Sequence, residues 1–216
     1  MMTVGYIIEG KGEIERREIH STVLWQVPMP VKGWLAPWYR KRQWKRLQRL
    51  GIRRAVFPVL LREEAEKWGV RPVEVWPLRR AVQGQLLARF DGTTAALRAQ
   101  YTELAVEETA MLLARRFRYL ELDAGRGTKQ LAERLWKKYG LCIGGTGGAD
   151  VTVSFGGAPR QEQEICLGED CAQWQEVTYK LVDEEEEWEE GILAVLFQNG
   201  EIQRDEIRVK SITTKA

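Results

Sequence analysis

One pattern narrows the choice of fold more than any other: a segment of helical period, a stop, and a short apolar run, found three times. In the first instance QWKRLQRLG places Trp44, Leu47 and Gly51 on one face with Leu50 beside them, and IRRAVFP follows, closed by Pro58. MLLARRF followed by RYLELDAG is the second, and LAERLWKKYG followed by LCIGG is the third. Gly51 and Gly140 stand where a helix ends in a left-handed residue, a conformation that costs glycine no Cβ clash. The middle instance lacks that stop. Helices alternating with short apolar strands are what a mostly parallel sheet covered by helices looks like in one dimension.

The remaining segments fill in around these units. TVGYII reads as a strand, and Gly10 and Gly12 lead into a second run ending in Val23, Leu24 and Trp25, which predicts a hairpin, with a short helix as the alternative for the second arm. Pro28 and Pro30 stop regular structure, so VPMPVKGWLAPWY is expected to be an extended connector whose Trp34 and Trp38 pack onto the main body. Glu63 to Trp68 reads as helix, as does Pro77 to Phe90, ended by Gly92. Between Thr94 and Ala110 the signals conflict: AALRAQ favours helix, and a strand is expected near Tyr101 to Ala105. VTVSF alternates as a strand should, and EICLG, QEVTYKLV and EIRVKSI read as further strands. Asp183, with Glu186 three positions on, has the spacing of a capping box, which predicts a helix running to Phe197 and ended by Asn199 and Gly200.

The richest single motif is DAGRGTKQL, at the junction of an alternating run and an amphipathic segment. A strand, a tight turn and a helix in that order point backbone N–H groups and a positive helix end at one place, which suits an anion. Gly125 and Gly127 supply two glycines of a G-x-G-x-x-G fingerprint, and Gln130 stands where the third would be. Asp150, the next candidate for the ribose-binding acid, lies twenty-five residues past Gly125 and begins a strand where the fingerprint needs one ending. Over about these twenty-five residues the chain resembles Rossmann-like nucleotide-binding domains. Together with the repeated helix–strand units and the mixed strands after VTVSF, this predicts an α/β, three-layer Rossmann-like domain with a mostly parallel sheet over 31–216, preceded by a β arm over 1–30, with antiparallel strands toward the carboxyl terminus. The resemblance also implies a ligand site at the strand's carboxyl end, made of Asp123, Gly125, Arg126, Gly127, Thr128 and Lys129. The competing reading of the same residues is structural, with glycines serving a tight turn and Arg126 solvated. A second glycine cluster, Gly144, Gly145, Gly147 and Gly148 around Thr146, would face the same crevice if its strand is a neighbour, or else is a connector to VTVSF.

The inventory of reactive groups excludes several chemistries. His20 is the only histidine, and Ser21, Ser154 and Ser211 are the only serines, so a Ser-His hydrolase has few ways to be assembled. Cys166 and Cys171, with Cys142 and His20, lack the second tight ligand pair of a zinc site. Asp123, Asp150 and Glu121 are acids without a paired-carboxylate spacing. Three cysteines at irregular spacing, no apolar leader after Met1 and no apolar run long enough for a membrane span imply a cytoplasmic protein with no membrane role.

Net charge is only +2, but its distribution is uneven. Residues 38–54, WYRKRQWKRLQRLGIRR, hold eight of the 33 basic residues and no acid, leaving 25 basic residues against 31 acidic ones elsewhere. Arginines beside aromatics suit nucleic acid. Spending Trp44, Leu47 and Gly51 against the sheet leaves Arg40, Arg42, Lys45, Arg46 and Arg49 as a solvated face, the reading preferred over nucleic-acid association. Nine tryptophans, several of them before the ordered units, suggest a protein partner at the Trp-rich amino-terminal region. The leading expectation is a non-catalytic module binding a small anionic or nucleotide ligand or a protein. The alternatives are a dinucleotide- or S-adenosylmethionine-dependent enzyme, and a nucleic-acid-associated protein using residues 38–54.

Overall fold

The computed structural model describes residues 3–144, 148–160 and 163–214. In chain order it begins with β1 (Thr3–Glu9), β2 (Glu15–Ile19), β3 (Thr22–Met29), α1 (Ala36–Arg49), β4 (Arg54–Val56), α2 (Arg62–Lys67) and β5 (Arg71–Pro72). Then come α3 (Trp76–Ala81), α4 (Gln83–Leu87), β6 (Thr94–Arg98), α5 (Leu104–Arg116), β7 (Tyr119–Asp123), α6 (Thr128–Tyr139), β8 (Cys142–Ile143), β9 (Val151–Ser154) and β10 (Glu164–Cys166). The last elements are α7 (Cys171–Trp174), β11 (Gln175–Leu181), β12 (Glu187–Glu189), α8 (Glu190–Gln198) and β13 (Ile207–Thr214). Two units divide the chain: Met1–Glu74 with Trp188–Gln203, and Val75–Glu187 with Arg204–Ala216. The chain is mixed α/β, with two mostly parallel sheets and an antiparallel pair, β11 with β13.

The first unit holds the sheet β2-β3-β1-β4-β5. β1 lies parallel to β3 on one side and to β4 on the other, so the expected hairpin between TVGYII and the next run does not form. The run after Gly12 is instead two strands, β2 and β3, paired antiparallel around His20, whose φ is +52°. Composition explains the choice. ERREI is charged at four of five positions and suits an edge exposed to water, whereas Val23, Leu24, Val27 and Met29 of β3 are buried and need neighbours on both faces. β3 runs through Pro28, because its pairing with β2 ends at Gln26 and the missing N–H costs no ladder bond on that side. In α1, Trp44 and Leu47 are fully buried against Ile7, Val27 and Ala55, and Gly51 ends the helix with φ +70° while Ile52 N–H donates to the Leu47 carbonyl at 3.0 Å. The expectation for Trp34 and Trp38 fails: they are 89% and 63% exposed.

The second unit holds the sheet β10-β9-β6-β7-β8, every pair of it parallel. Its middle strand, β6, is TAALR, part of the stretch that sequence favoured as helix. Ala95, Ala96 and Leu97 are buried there, so this central strand is covered on both faces and takes small side chains. The strand expected near Tyr101 is absent: Tyr101 makes one isolated bridge to Arg126, and α5 starts at Leu104. β6, β7 and β8 step in one direction, which by the right-handed crossover rule puts α5 and α6 on one face, and those helices pack on each other. The chain then returns past β6 to form β9, so the direction of stepping reverses between β6 and β9. The acidic run 183–186 is not helical; four successive carboxylates are exposed, and α8 begins only at Glu190, where Leu193, Ala194 and Leu196 supply a buried face.

Candidate functional site

In an open parallel sheet the carboxyl ends of the strands face a crevice where the stepping direction reverses, because the flanking loops diverge there. In the second unit that point lies beyond Arg98 of β6 and Ser154 of β9, which are partners in the register, as are Arg98 with Asp123 of β7 and Ser154 with Cys166 of β10. Asp123, Arg98, Ser154 and Cys166 thus form a row across the sheet edge, all on one face.

The expected site residues stand at the β7 end of that row. Asp123 is exposed, and its carbonyl accepts the Ala99 N–H at 2.7 Å, tying the loop after β7 to the loop after β6. Gly125 has φ +56°, and a Cβ there would overlap the carbonyl oxygen of Gln100. Gly127 has φ +98°, and a Cβ would press on the Thr102 side chain. Both glycines are therefore required by the chain itself, whatever binds nearby. Arg126 is exposed, and its carbonyl accepts the Thr102 N–H at 3.3 Å. Thr128 Oγ1 accepts the Ala124 N–H at 3.0 Å and donates to the Gly125 carbonyl at 2.9 Å, so it closes the turn and leaves the helix end uncapped. Lys129 is exposed in the first turn of α6, which contains no acid. The positive end of a twelve-residue helix therefore opens beside two cationic side chains and one carboxylate.

Two arginines that the sequence did not single out tie this row to its surroundings, Arg98 from within it and Arg80 from α3. The Arg80 guanidinium lies 4.3 Å from the Trp76 ring centre and 5.0 Å from that of Phe155. It donates to Glu103 Oε1 at 3.3 Å and to the Leu167 carbonyl at 3.1 Å. One side chain thus links the loops after β6, β9 and β10. Beneath, Arg98 Nη1 stands 3.7 Å from the buried Glu164 carboxylate, which accepts the Arg160 N–H at 2.7 Å. That Nη1 is buried and has no hydrogen-bond acceptor among the described residues. On the β6–β7 side Tyr101 is 61% exposed and bridges to Arg126, beside the backbone bonds that join the two loops. No sequence signal pointed to Arg80 or Arg98, because the strand that carries Arg98 reads as helix.

Of the second glycine cluster, Gly144 stands directly after β8, its N–H donating to the Leu120 carbonyl at 3.3 Å. β8 pairs with the first two residues of β7, and the chain emerging from it reaches Asp150, whose carboxylate accepts the N–H groups of Thr93 and Thr94 and the Thr94 hydroxyl at 2.7–2.8 Å. Those contacts lie at the amino end of β6, opposite Arg98. They hold the Asp150 carboxyl below its ordinary range, with the Thr94 hydroxyl the largest cause. Gly145, Thr146 and Gly147 lie outside the described residues.

Other candidates for chemistry already have partners. Ser21 donates to Glu201 at 2.7 Å, and Ser154 Oγ lies 3.5 Å from Cys166 Sγ. Burial pushes the Cys166 thiol up, keeping it protonated and a poor nucleophile. Among the described residues no group of three His, Cys, Asp or Glu side chains is placed to hold a metal, and no helix is long and apolar enough to cross a membrane. Comparison with protein-family models, curated proteins and solved structures gave no match.

Proposed function

We propose that the second unit is a Rossmann-like module that binds a small anion, without catalysing a reaction, at the β6–β7 side of its sheet edge. The observation that carries the reading is the strand order. Counted from β6, the sheet runs 3-2-1-4-5 from the β8 edge, with the reversal beside β6 and the start of α6 opening at the same edge. Arg126 and Lys129 add charge, and the first-turn amides of α6 supply donors. A small oxyanion such as a phosphate or carboxylate matches donors of this kind. In a thermal-shift series, millimolar phosphate or pyrophosphate should raise the melting temperature of the protein and fail to raise that of Arg126→Glu/Lys129→Glu. An equal rise in the variant, or none in either protein, would sink the proposal.

A second reading is favoured by Asp123. It ends the strand that follows the first crossover, twenty-four positions after Ala99, where a ribose-binding acid of a dinucleotide- or S-adenosylmethionine-dependent enzyme stands. Against it, the loop Ala99–Glu103 contains no glycine to let a pyrophosphate approach the backbone. Adenosine-bearing ligands that outperform phosphate in the same series, with the advantage lost in Asp123→Ala, would select this reading.

A further inference from the structure

The first unit carries a cationic surface that has no role in the site above. α1, APWYRKRQWKRLQR, contains no acid. Its inner face is used up by Trp44 and Leu47, both fully buried. Arg40 is turned away from solvent toward Glu64, at 2.6 Å, and the Pro30 carbonyl, at 3.2 Å. Opposite the buried face, Trp38, Lys41, Arg42, Lys45 and Arg49 follow one another at intervals of three, one, three and four, which lines them up in one stripe about 16 Å long at 1.5 Å per residue. All five are exposed. No hydrogen bond or ion pair engages the four cations among the described residues.

Each end of the stripe has an aromatic feature. At the start, Trp34 is 89% exposed and Trp38 63%, an arrangement that leaves two indole faces open to water. At the finish, an open groove of about 470 Å³ lies beside the last turn of α1, with Ile14, Trp25 and Leu50 as apolar walls, Arg46 and Arg49 as cationic ones, and Glu13 as the acid. Trp25 is held there by packing on the core of the unit.

We infer that this surface binds single-stranded nucleic acid, RNA or DNA, over a few nucleotides. Phosphates lie along Lys41, Arg42, Lys45 and Arg49, one base stacks on the Trp34–Trp38 pair, and another enters the groove against Trp25. Charge complementarity supports an anionic polymer, since four unpaired cations on one stripe have no acid to share. The aromatic pair supports a ligand with flat faces, because indoles give sequence-tolerant stacking. The groove selects a strand over an anionic bilayer: a splayed base can lie flat against Trp25, whereas a lipid surface offers no ring to stack there. Duplex is disfavoured for the same reason, as its bases are stacked within the helix. Glu13 repels phosphate from the inner wall, so a base and not the backbone occupies the groove.

The test is fluorescence anisotropy with a labelled oligonucleotide of twelve or so uridines or thymidines. Affinity should fall about fifty-fold between 50 and 200 mM salt, from a slope near −3 for four neutralised phosphates. Lys41→Gln, Arg42→Gln, Lys45→Gln and Arg49→Gln should each reduce the slope by about 0.7. Trp34→Ala/Trp38→Ala should weaken binding at least about fivefold with little change in slope. Charge-matched controls, Arg62→Gln and Lys67→Gln taken singly, should bind as the unaltered chain does, and circular dichroism confirms that each variant is folded. Four results would overturn the inference: no binding at 50 mM salt, equal or tighter binding of duplex, equal loss in the controls, or binding to phosphatidylserine vesicles that the oligonucleotide does not compete.

Discussion

The carbonyl oxygen of Gln100 occupies the space where a side chain at Gly125 would begin, so the turn after β7 is shaped by the loop after β6. The two loops are zipped by the Ala99–Asp123 and Thr102–Arg126 backbone bonds, at 2.7 and 3.3 Å. A glycine-bearing turn that sequence associates with a ligand is thus also a packing joint between neighbouring loops.

Replacing Gly125 by alanine should therefore destabilise the second unit by about 1–3 kcal/mol, from the left-handed φ of +56° together with the displaced carbonyl. Gly144→Ala, where a Cβ meets open space, should change stability by less than about 0.5 kcal/mol. Thermal and denaturant midpoints of the two variants check the contrast, and equal effects would contradict it.

Asp150 should make the protein acid-sensitive in a definite window. Its folded carboxyl lies below the ordinary 3.8 because the Thr94 hydroxyl and the Thr94 and Thr93 N–H groups bond the charged form. A depressed folded value stabilises above the unfolded value and loses that contribution as pH falls through the folded one. Asp150→Asn should therefore melt lower than the parent at pH 7, and the gap should close as pH drops below about 3.8. Melting curves at pH 7, 4.5 and 3 measure it; a gap that persists unchanged at pH 3 would refute the assignment.

Arg79 is fully buried, and its guanidinium donates to the carbonyls of Cys166, Cys171 and Gln175 at 3.2, 3.4 and 2.8 Å. It fastens the segment after β10 to α3. Arg79→Met matches the stem but strands those carbonyls, and should cost about 2–4 kcal/mol. Denaturant unfolding reads the loss, and a cost under about 1 kcal/mol would show that water replaces the guanidinium.

Tryptophans of the same α1 region should behave oppositely. Trp44 is fully buried, edge-on to Phe57 with ring centres 6.4 Å apart, and Trp44→Ala should cost about 3–5 kcal/mol. Trp34→Ala should stay within about 0.5 kcal/mol. Melting temperatures of the two variants decide it, and a large loss at Trp34 would mean that its indole is covered.

Much of the architecture was legible where local chemistry and tertiary placement agree. The helix–strand pairs around Gly51 and Gly140 are marked by a stop that only glycine supplies cheaply, and both residues have left-handed φ. TAALR was illegible because alanine and leucine favour helix in isolation, and only the covered middle of a sheet overrides that preference. The β1–β3 pairing was hidden because a parallel partner leaves no turn signal between its strands. At the site, DAGRGT was found by its turn chemistry, but the reason for its glycines lies in Gln100 and Thr102, twenty-five residues upstream of each. Arg80 and Arg98 escaped notice because an arginine at the end of a helix or strand carries no mark of what it bridges.

In the proposed function the start of α6 receives an anion at the β6–β7 side of the sheet edge. An amide-resolved NMR titration with pyrophosphate addresses it most directly. Shifts that saturate at Arg126, Thr128, Lys129 and Gln130, and vanish in Arg126→Glu/Lys129→Glu, are the predicted result. Unmoved amides there, or shifts centred on Thr93, Thr94 and Asp150 at the opposite end of β6, would contradict it.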